Sequence, residues 1–253
     1  MALMIENELS IETKEGLVAY LERFVTPQRR DLIQKNIELR TRHIAVMLEN
    51  IYQPHNASAV LRSCDCFGVQ DAYIIEDINE YRINPEVAMG ATKWLTLHRF
   101  QSLEFNSTAR CLERMKEAGY TIAATTLRPG AVMLPEISIE QKLVLCFGTE
   151  EDGLSDYVHE QADLYLQIPM YGFTQSYNIS VSAALCLYEL TKRLRQPTAN
   201  IEWQLSTEER LDLLVDWLVK ATTHGKALAR QYFRDNDAEI PERFIEEEEE
   251  DEE

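Results

Sequence analysis

Short, almost continuously apolar segments alternate with helical patterns through the middle of the chain, and this alternation constrains the fold more than any other feature. A strand that is buried on both faces is apolar at nearly every position, whereas a strand with one solvated face alternates with polar residues. Buried strands that alternate with helices are typical of a mainly parallel sheet covered on both faces. We therefore predict the α/β fold class. The predicted strands are HIAVMLENI, DAYIIED, LTLHRF, YTIAATTL, KLVLCFG and DLYLQIPM.

Helical patterns fill the connections between these strands and both ends of the chain. One helix is predicted to begin with Thr26 as its cap and Pro27 at its first position. Another is predicted to begin with a capping box of Ser206 and Glu209. The remaining helices are predicted at residues 1–25, 56–67, 107–118, 155–161, 179–195 and 227–233.

The net charge is strongly negative, but the charges are unevenly distributed. The formal charge of −18 counts at first sight against a polyanionic partner. Residues 246–253 are all acidic, however, and such a run is typical of a solvated, disordered tail. Bases outnumber acids between Arg29 and Arg62, and further bases follow from Lys192 onward. Local binding of a polyanion therefore stays possible, with ordinary solvated helix faces as the alternative.

Composition indicates the compartment. The 253 residues, 45% of them hydrophobic, can bury a large core. The first residues, MALMIENELSIETKEG, carry acids where a signal peptide carries bases, and no apolar run approaches the length of a membrane span. The five cysteines form no CxxC pair, which indicates small apolar filler in a reducing compartment. These features predict a cytoplasmic protein with no membrane anchor and no metal site.

Familiar nucleotide-binding loops are absent from the sequence, which contains neither GxGxxG after the first strand nor GxxxxGK[ST]. Its glycines fall mostly at strand ends, as Gly148 and Gly172 do. Glu150, Ser176 and Asn178 lie in the same segments, and bare backbone beside small polar groups suits a small polar ligand. A pocket is therefore predicted at the carboxyl ends of the strands.

Three motifs carry a resemblance to a known family. They are PHNASAVLRSCDCFGV (residues 54–69), LCFGTEEDGLS (residues 145–155) and IPMYGFTQSYNISVSAAL (residues 168–185). They resemble the signature motifs of the SPOUT superfamily's RNA ribose 2′-O-methyltransferases and are most similar to those of the TrmH family, which methylates guanosine 18 of tRNA. The resemblance covers about residues 25–221. It implies a parallel sheet with a deep C-terminal trefoil knot, S-adenosylmethionine as the cofactor, tRNA as the partner, and a homodimer.

The resemblance implies catalytic roles for five residues. Asn56 and Arg62 match the first motif. In that motif the arginine would take the proton from the guanosine 2′-hydroxyl, and Asn56 would hold either Arg62 or the ribose. Because a guanidinium normally stays protonated, a phosphate clamp is the alternative role for Arg62. Glu150 would tie the second motif to its neighbours. Ser176 and Asn178 would face the ribose, and the alternative is that they only cap the following helix.

Contacts with the cofactor and the RNA are also implied. The cofactor-binding residues would be Thr126, Leu127, Gly148, Ile168, Met170 and Ile179. The RNA-binding residues would be Arg29, Arg30, Arg40, His55 and Lys192. Lys192 stands where the family typically has an arginine, so the bidentate fork is lost there. Without the resemblance, the apolar residues of these sets would pass for core and the charged ones for solvated surface.

The predicted organisation has four parts. They are an N-terminal helical RNA-binding extension (1–42), a SPOUT methyltransferase domain with the knot (43–196), a C-terminal helical extension (197–240) and an acidic disordered tail (241–253). Two alternatives to tRNA methylation stay open: methylation of ribosomal RNA and a non-catalytic knotted RNA-binding protein. Family members that act on ribosomal RNA usually carry a separate N-terminal RNA-binding domain, and the short helical lead argues against one here.

The acidic tail suggests a regulatory hypothesis. Its uninterrupted acids would compete weakly with RNA for the basic ends of the chain. Deleting residues 246–253 should then tighten RNA binding at low salt, where electrostatic competition is strongest. Unchanged affinity in a low-salt titration would contradict the hypothesis.

Overall fold

The computed structural model describes residues 9–78, 84–101 and 107–245. The predictions made for residues 1–8 of the first helix and for the acidic run 246–253 lie outside these residues. The helices are α1 (Ile11–Leu21), α2 (Pro27–Ile37), α3 (Pro54–Phe67), α4 (Pro85–Ala88), α5 (Ser107–Glu117), α6 (Asp156–Gln161), α7 (Ile179–Leu194), α8 (Thr207–Ala221) and α9 (Gly225–Asp235). The strands are β1 (Ile44–Glu49), β2 (Asp71–Ile75), β3 (Thr96–Phe100), β4 (Thr121–Thr125), β5 (Val132–Met133), β6 (Leu143–Phe147) and β7 (Leu164–Gln167).

The chain divides into two compact units. The larger unit runs from Arg40 to Gln204. The smaller unit combines the described residues before Arg40 with those after Gln204. Helices from both ends of the chain therefore belong to one unit, a grouping that is not apparent in the sequence.

A parallel sheet organises the larger unit. Its strand order is β3-β2-β1-β6-β4-β7-β5, and each of the pairings between its described strands is parallel. β1 lies at the centre, where Val46 is in register with Ala72 of β2 and with Leu145 of β6. The α/β class is thus confirmed, and the six predicted strands are all present. The short strand β5 was not predicted.

Helices cover both faces of this sheet, which explains the almost continuous apolar strands. Ile44, Val46 and Leu48 of β1 pack in a core with α3 and α7. The alternate residues Ala45 and Met47 pack in a second core with α5 and with residues of α6. Because successive side chains of a strand point to opposite faces, both sets must be apolar when both faces are covered.

The smaller unit is helical, and the contacts between α1 and α8 hold it together. Lys14 of α1 is buried at 2% exposure. Its Nζ donates to Glu208 Oε1 at 3.2 Å and to Asp212 Oδ2 at 3.0 Å. Burial acts to lower the pKa of Lys14, but the hydrogen bonds to Asp212 and Glu208 raise it above its ordinary value. The ammonium group therefore stays charged and bridges the two helices.

The predicted helix starts in this unit are also present. The Thr26 side chain accepts a hydrogen bond from the Arg29 amide at 3.2 Å, as an N-cap does. Ser206 and Glu209 form the reciprocal bonds of a capping box. Both helices thus begin where their capping residues predicted.

Four of the cysteines are buried, as apolar filler is, whereas Cys66 is exposed. All five are unbonded thiols. Burial raises the pKa of Cys64 and of Cys186 to about 12, so these thiols stay neutral. Within the described residues, no helix has the length and apolar character that crossing a membrane requires.

Candidate active site

The three motifs converge at one edge of the sheet. Strands β1, β6, β4 and β7 are neighbours in that order, and all of them are parallel. The segments that follow them therefore emerge side by side at the carboxyl edge, where ligands bind in open α/β sheets. These segments contain most of the predicted site residues.

One buried amide connects the three motifs. Asn56, in the first turn of α3, is 4% exposed. Its Nδ2 donates to Glu150 Oε1, and to Gln53 Oε1 at 3.3 Å. Its Oδ1 accepts a hydrogen bond from Asn178 Nδ2 at 3.1 Å. Asn56 therefore fixes the exposed side chains of Glu150 and Asn178 relative to each other.

Asn178 both caps a helix and belongs to this network. Its Oδ1 accepts from the Ser180 amide at 2.9 Å and from the Ser180 hydroxyl at 2.6 Å, which caps α7. The sequence alone left open whether Asn178 is part of the site or only caps a helix. The structure shows both contacts, because its Nδ2 bonds to Asn56 while its Oδ1 caps α7. Ser176 is exposed and makes no hydrogen bond within the described part of the chain.

Arg62 lies on the same helix as Asn56 and is exposed to solvent. It makes no ion pair with any residue that the structure describes. It lies six positions after Asn56, so the two side chains are nearly two helical turns apart. Its guanidinium is therefore open to a ligand that approaches this part of α3 from solvent.

The second motif forms a tight loop that begins with Gly148. The Thr149 amide donates to Gly153 O at 3.0 Å, and the Gly153 amide donates back to Thr149 O at 3.1 Å. Gly153 has a φ of +72°, which favours glycine. A Cβ atom on Gly148 would lie 2.0 Å from Gly153 O. The backbone can make this close approach because position 148 has no side chain.

Replacing Gly148 with alanine is expected to open this loop and weaken ligand binding at the carboxyl edge at least about tenfold, because the added methyl group meets rigid backbone. Gly172→Ala is the matched control, since a Cβ there has nothing within 4 Å. Calorimetric titration of both variants with S-adenosylmethionine measures the effect. Equal affinities for the two variants would contradict the steric account of Gly148.

The other residues expected to bind the cofactor follow β4 and β7, at the same carboxyl edge of the sheet, or begin α7. The side chains of Thr126, Ile168 and Met170 are half-buried, and Ile179 is buried. Leu127, two residues after β4, is 53% exposed, which is unusual for a leucine so close to a buried strand. Apolar side chains at intermediate exposure beside polar groups and bare backbone are typical of a small-molecule site.

Four of the residues expected to contact RNA lie at the surface. In the smaller unit, Arg29 and Arg30 are exposed on α2. In the larger unit, His55 is exposed in the first turn of α3 and Lys192 on α7. The Lys192 ammonium lies 5.6 Å from the centre of the Tyr188 ring.

Arg40 does not fit the expectation for an RNA contact. It is 4% exposed, and its guanidinium forms an ion pair with Asp65 of α3. Position 40 lies shortly before the central strand, its side chain is enclosed by the fold, and its guanidinium compensates a carboxylate. Arg40 therefore has a structural role in this conformation.

The structure also places three buried or capping polar residues at this edge that sequence reasoning missed. Glu49 ends β1 and is 3% exposed. Its carboxylate accepts from the Ser155 amide at 2.8 Å and from the Ser155 hydroxyl at 2.7 Å. Ser155 caps the N-terminus of α6. His159, which is 6% exposed, lies on the same helix four residues later. An acid at the end of the apolar run IAVML was the available signal for Glu49.

No cluster of three or more metal-ligating side chains exists among residues 9–78, 84–101 and 107–245.

Comparison with known proteins identifies the class to which this fold and site belong. Residues 43–188, more than half of the chain, match the SpoU rRNA Methylase family, and the chain belongs to that family. The tRNA (guanosine(18)-2′-O)-methyltransferase of Borreliella burgdorferi is 39% identical over 196 residues, covering 78% of this chain and 87% of the relative. The protein of the same name from Thermus thermophilus is 33% identical over 195 residues, covering 77% and 98%.

Solved structures agree with this assignment. The crystal structure of the A. aeolicus TrmH/SpoU tRNA modifying enzyme matches with a TM-score of 0.66 and 30% identity, covering 78% of this chain and 96% of that one. The family inferred from the three sequence motifs is therefore confirmed.

Proposed function

We propose that the protein transfers a methyl group from S-adenosylmethionine to the ribose 2′-hydroxyl of guanosine 18 in tRNA. Membership of the SpoU methylase family supports methylation of RNA. Several relatives that match over most of their length carry the name tRNA (guanosine(18)-2′-O)-methyltransferase. The observation that carries the proposal for this chain is the Asn56 amide, which connects all three motifs at one edge of the sheet.

The residues present at that edge fit the cofactor. Gly148 brings bare backbone into the site, and Leu127, Ile168 and Met170 offer partly exposed apolar surface for an adenosine. Thr126 and Ile179 complete the proposed lining. S-adenosylmethionine supplies an activated methyl group, so the protein needs chiefly to align the attacking oxygen with it.

The catalytic proposal assigns proton removal to Arg62. Its exposed guanidinium can approach the ribose and an RNA phosphate together. To accept the 2′-hydroxyl proton it would have to be the neutral guanidine, and a phosphate beside it works against this because a negative charge favours the protonated form. The Asn56 network would hold Glu150 and Asn178 in place beside the ribose, and Ser176 would add a hydroxyl from the same wall. If proton removal occurs otherwise, Arg62 acts as a phosphate clamp.

We also propose that the end of the larger unit is threaded into a trefoil knot. β4 and β5 are consecutive along the chain, yet β7 lies between them in the sheet. After β7 the chain continues into α7, which packs against α3. Arg193 of α7 donates to Ile137 O, in the segment after β5, at 2.6 Å. This order of strands and contacts supports passage of β7 and α7 through the preceding loop.

A homodimer is proposed from an exposed apolar stripe. Tyr177, Val181, Leu185 and Tyr188 recur at helical spacing along and just before α7, with exposures between 37% and 53%. Tyr171 and Phe173 in the preceding loop are almost fully exposed. Apolar surface of this kind marks an interaction site, and a second copy of the chain would cover the loop that carries Ser176.

Replacing Val181 with glutamate is expected to convert the dimer to a monomer and remove activity, because a charge would be buried in the interface. Tyr157→Glu is the matched control, since Tyr157 is also 45% exposed but lies on α6, which packs on the opposite face of the sheet. Light scattering at micromolar concentration measures the mass. A dimeric Val181→Glu variant, or a monomeric wild type, would refute this interface.

For tRNA recognition we propose phosphate contacts by Arg29, Arg30, His55 and Lys192, which position an RNA without reading its sequence. The predicted helical extensions at 1–42 and 197–240 would serve this binding, and the cytoplasm, where tRNA is abundant, is the proposed location.

Transfer of labelled methyl to two purified RNAs tests the substrate class. An unmodified tRNA transcript should be labelled and a 23S rRNA transcript should not. The rRNA is the relevant competitor because the 23S rRNA (guanosine-2′-O-)-methyltransferase RlmB of Coxiella burnetii is also similar, at 28% identity over 193 residues. Labelling of the rRNA alone would overturn the tRNA assignment while leaving the chemistry intact.

A further inference from the structure

We propose that His159 is a positioning residue that holds the cofactor-binding loop after β4 in place. This inference rests on the proposed function, in which Thr126 and Leu127 contact S-adenosylmethionine. His159 is 6% exposed and lies between two polar partners. Its Nδ1 is 2.9 Å from Ser155 O, and its Nε2 is 3.1 Å from Thr126 Oγ1.

The direction of these hydrogen bonds follows from the partners. A backbone carbonyl can only accept, so Nδ1 carries the proton that is donated to Ser155 O. In the neutral imidazole Nε2 then accepts, and the Thr126 hydroxyl donates to it. The same hydroxyl oxygen accepts from the Arg128 amide at 3.2 Å. His159 thus orients the Thr126 hydroxyl, and that hydroxyl in turn holds the backbone of residues 126–128 through the Arg128 amide.

Both ends of this bridge are anchored. Ser155 is held by the buried carboxylate of Glu49 through its amide and its hydroxyl. The Thr126 amide donates to Leu166 O of β7 at 3.0 Å. Tyr165 donates from its hydroxyl to His159 O at 3.1 Å and contacts the imidazole ring edge-on. The series of hydrogen bonds from Glu49 through Ser155 and His159 to Thr126 therefore links the end of β1, the second motif and the loop after β4.

This arrangement explains how Leu127 can be exposed and still ordered. Its side chain is 53% exposed, so packing in the core does not hold it. The backbone on either side of Leu127 is instead tied through the Thr126 hydroxyl and amide. Loss of the contact between His159 and Thr126 should allow the loop to move, and a mobile loop binds its ligand more weakly because binding must order it.

Two isosteric substitutions of His159 in the full chain test the proposal. Asparagine places its amide near Nδ1 and keeps the contact with Ser155, whereas glutamine reaches the position of Nε2 and keeps the contact with Thr126. His159→Asn is expected to weaken S-adenosylmethionine binding about five- to tenfold, and His159→Gln to restore it to within about twofold. The KM for S-adenosylmethionine should rise in the first variant while kcat changes little.

His43→Asn controls for general destabilisation. His43 is also buried, and its Nε2 bonds to Ile139 O at 2.7 Å just before β1, at the amino edge of the sheet. This variant should lower the melting temperature without changing affinity for S-adenosylmethionine. A double variant, His159→Asn with Thr126→Val, should bind no more weakly than the weaker single variant, because both remove the same bond.

The outcomes separate this inference from the proposed function. Equal affinity of His159→Asn and His159→Gln, or wild-type affinity in His159→Asn, would refute the positioning role alone. Additive effects in the double variant would also refute it. If the wild-type protein binds no S-adenosylmethionine, the proposed function fails and the inference fails with it.

Discussion

Replacing Arg62 with lysine is expected to reduce the single-turnover rate of methyl transfer by about 100-fold or more, a typical cost of losing a proton-transfer group. Lysine keeps a positive charge at this exposed position of α3, so contact with phosphate should be partly retained. It lacks the planar fork that lets an arginine approach the ribose and a phosphate together. The rate should therefore fall much further than tRNA affinity.

Single-turnover assays at saturating tRNA and S-adenosylmethionine measure this rate, and filter binding measures tRNA affinity. Arg114→Lys is the control, because Arg114 is exposed on α5, which packs on the opposite face of the sheet, and pairs only weakly with Glu117 at 3.8 Å. A near-wild-type rate in Arg62→Lys would exclude a base role and leave Arg62 as a phosphate contact. Loss of tRNA binding without a change in the single-turnover rate would lead to the same conclusion.

Replacing Asn56 with aspartate is expected to remove most activity at pH 8 and to lower the free energy of unfolding by about 1–3 kcal/mol. The substitution keeps the shape of the side chain but replaces the donor that faces Glu150 with a second carboxylate. Two carboxylates that face each other in this way disfavour simultaneous ionisation, so in the variant one proton is held by the pair in the folded state. Because the folded-state pKa is raised, the penalty is small at low pH and grows as the pH rises through it.

Denaturant unfolding between pH 5 and pH 8 measures this dependence. The double variant Asn56→Asp with Glu150→Gln should recover stability, since the donor and acceptor exchange places and Asn178 can still donate to position 56. Asn200→Asp is the control because Asn200 is exposed and its positive φ of 50° is tolerated by aspartate. Wild-type stability of Asn56→Asp at pH 8 would contradict the role of the Asn56 network.

The sheet could be predicted well because burial on both faces leaves a clear signal. Ile44 to Leu48 are apolar at every position, and both of the faces to which they point are covered. β5 gives no such signal, since Val132 and Met133 form a two-residue edge strand that is only half-buried. The packing of α1 against α8 could not be predicted from the sequence either. An amphipathic pattern indicates that a helix buries one face, but it does not identify the element that covers that face.

The site was predictable to the level of its motifs but not of its individual contacts. The three motifs follow β1, β6 and β7, so they leave the same edge of one parallel sheet, and Asn56 does connect them. The sequence did not show that Arg40 is buried, because charge in a sequence does not reveal whether a residue is enclosed beside a carboxylate such as Asp65. His159 and Thr126 lie 33 positions apart, and only the folded chain shows that they share a hydrogen bond.

The most direct test of the central claim compares two tRNA transcripts that differ in one atom. Both are incubated with the full chain and methyl-labelled S-adenosylmethionine, and one of them carries 2′-deoxyguanosine at position 18. Methylation of the ribose 2′-oxygen of guanosine 18 predicts label in the unmodified transcript and none in the deoxy transcript. Equal label in both transcripts, or none in either while the protein binds S-adenosylmethionine, would contradict the account.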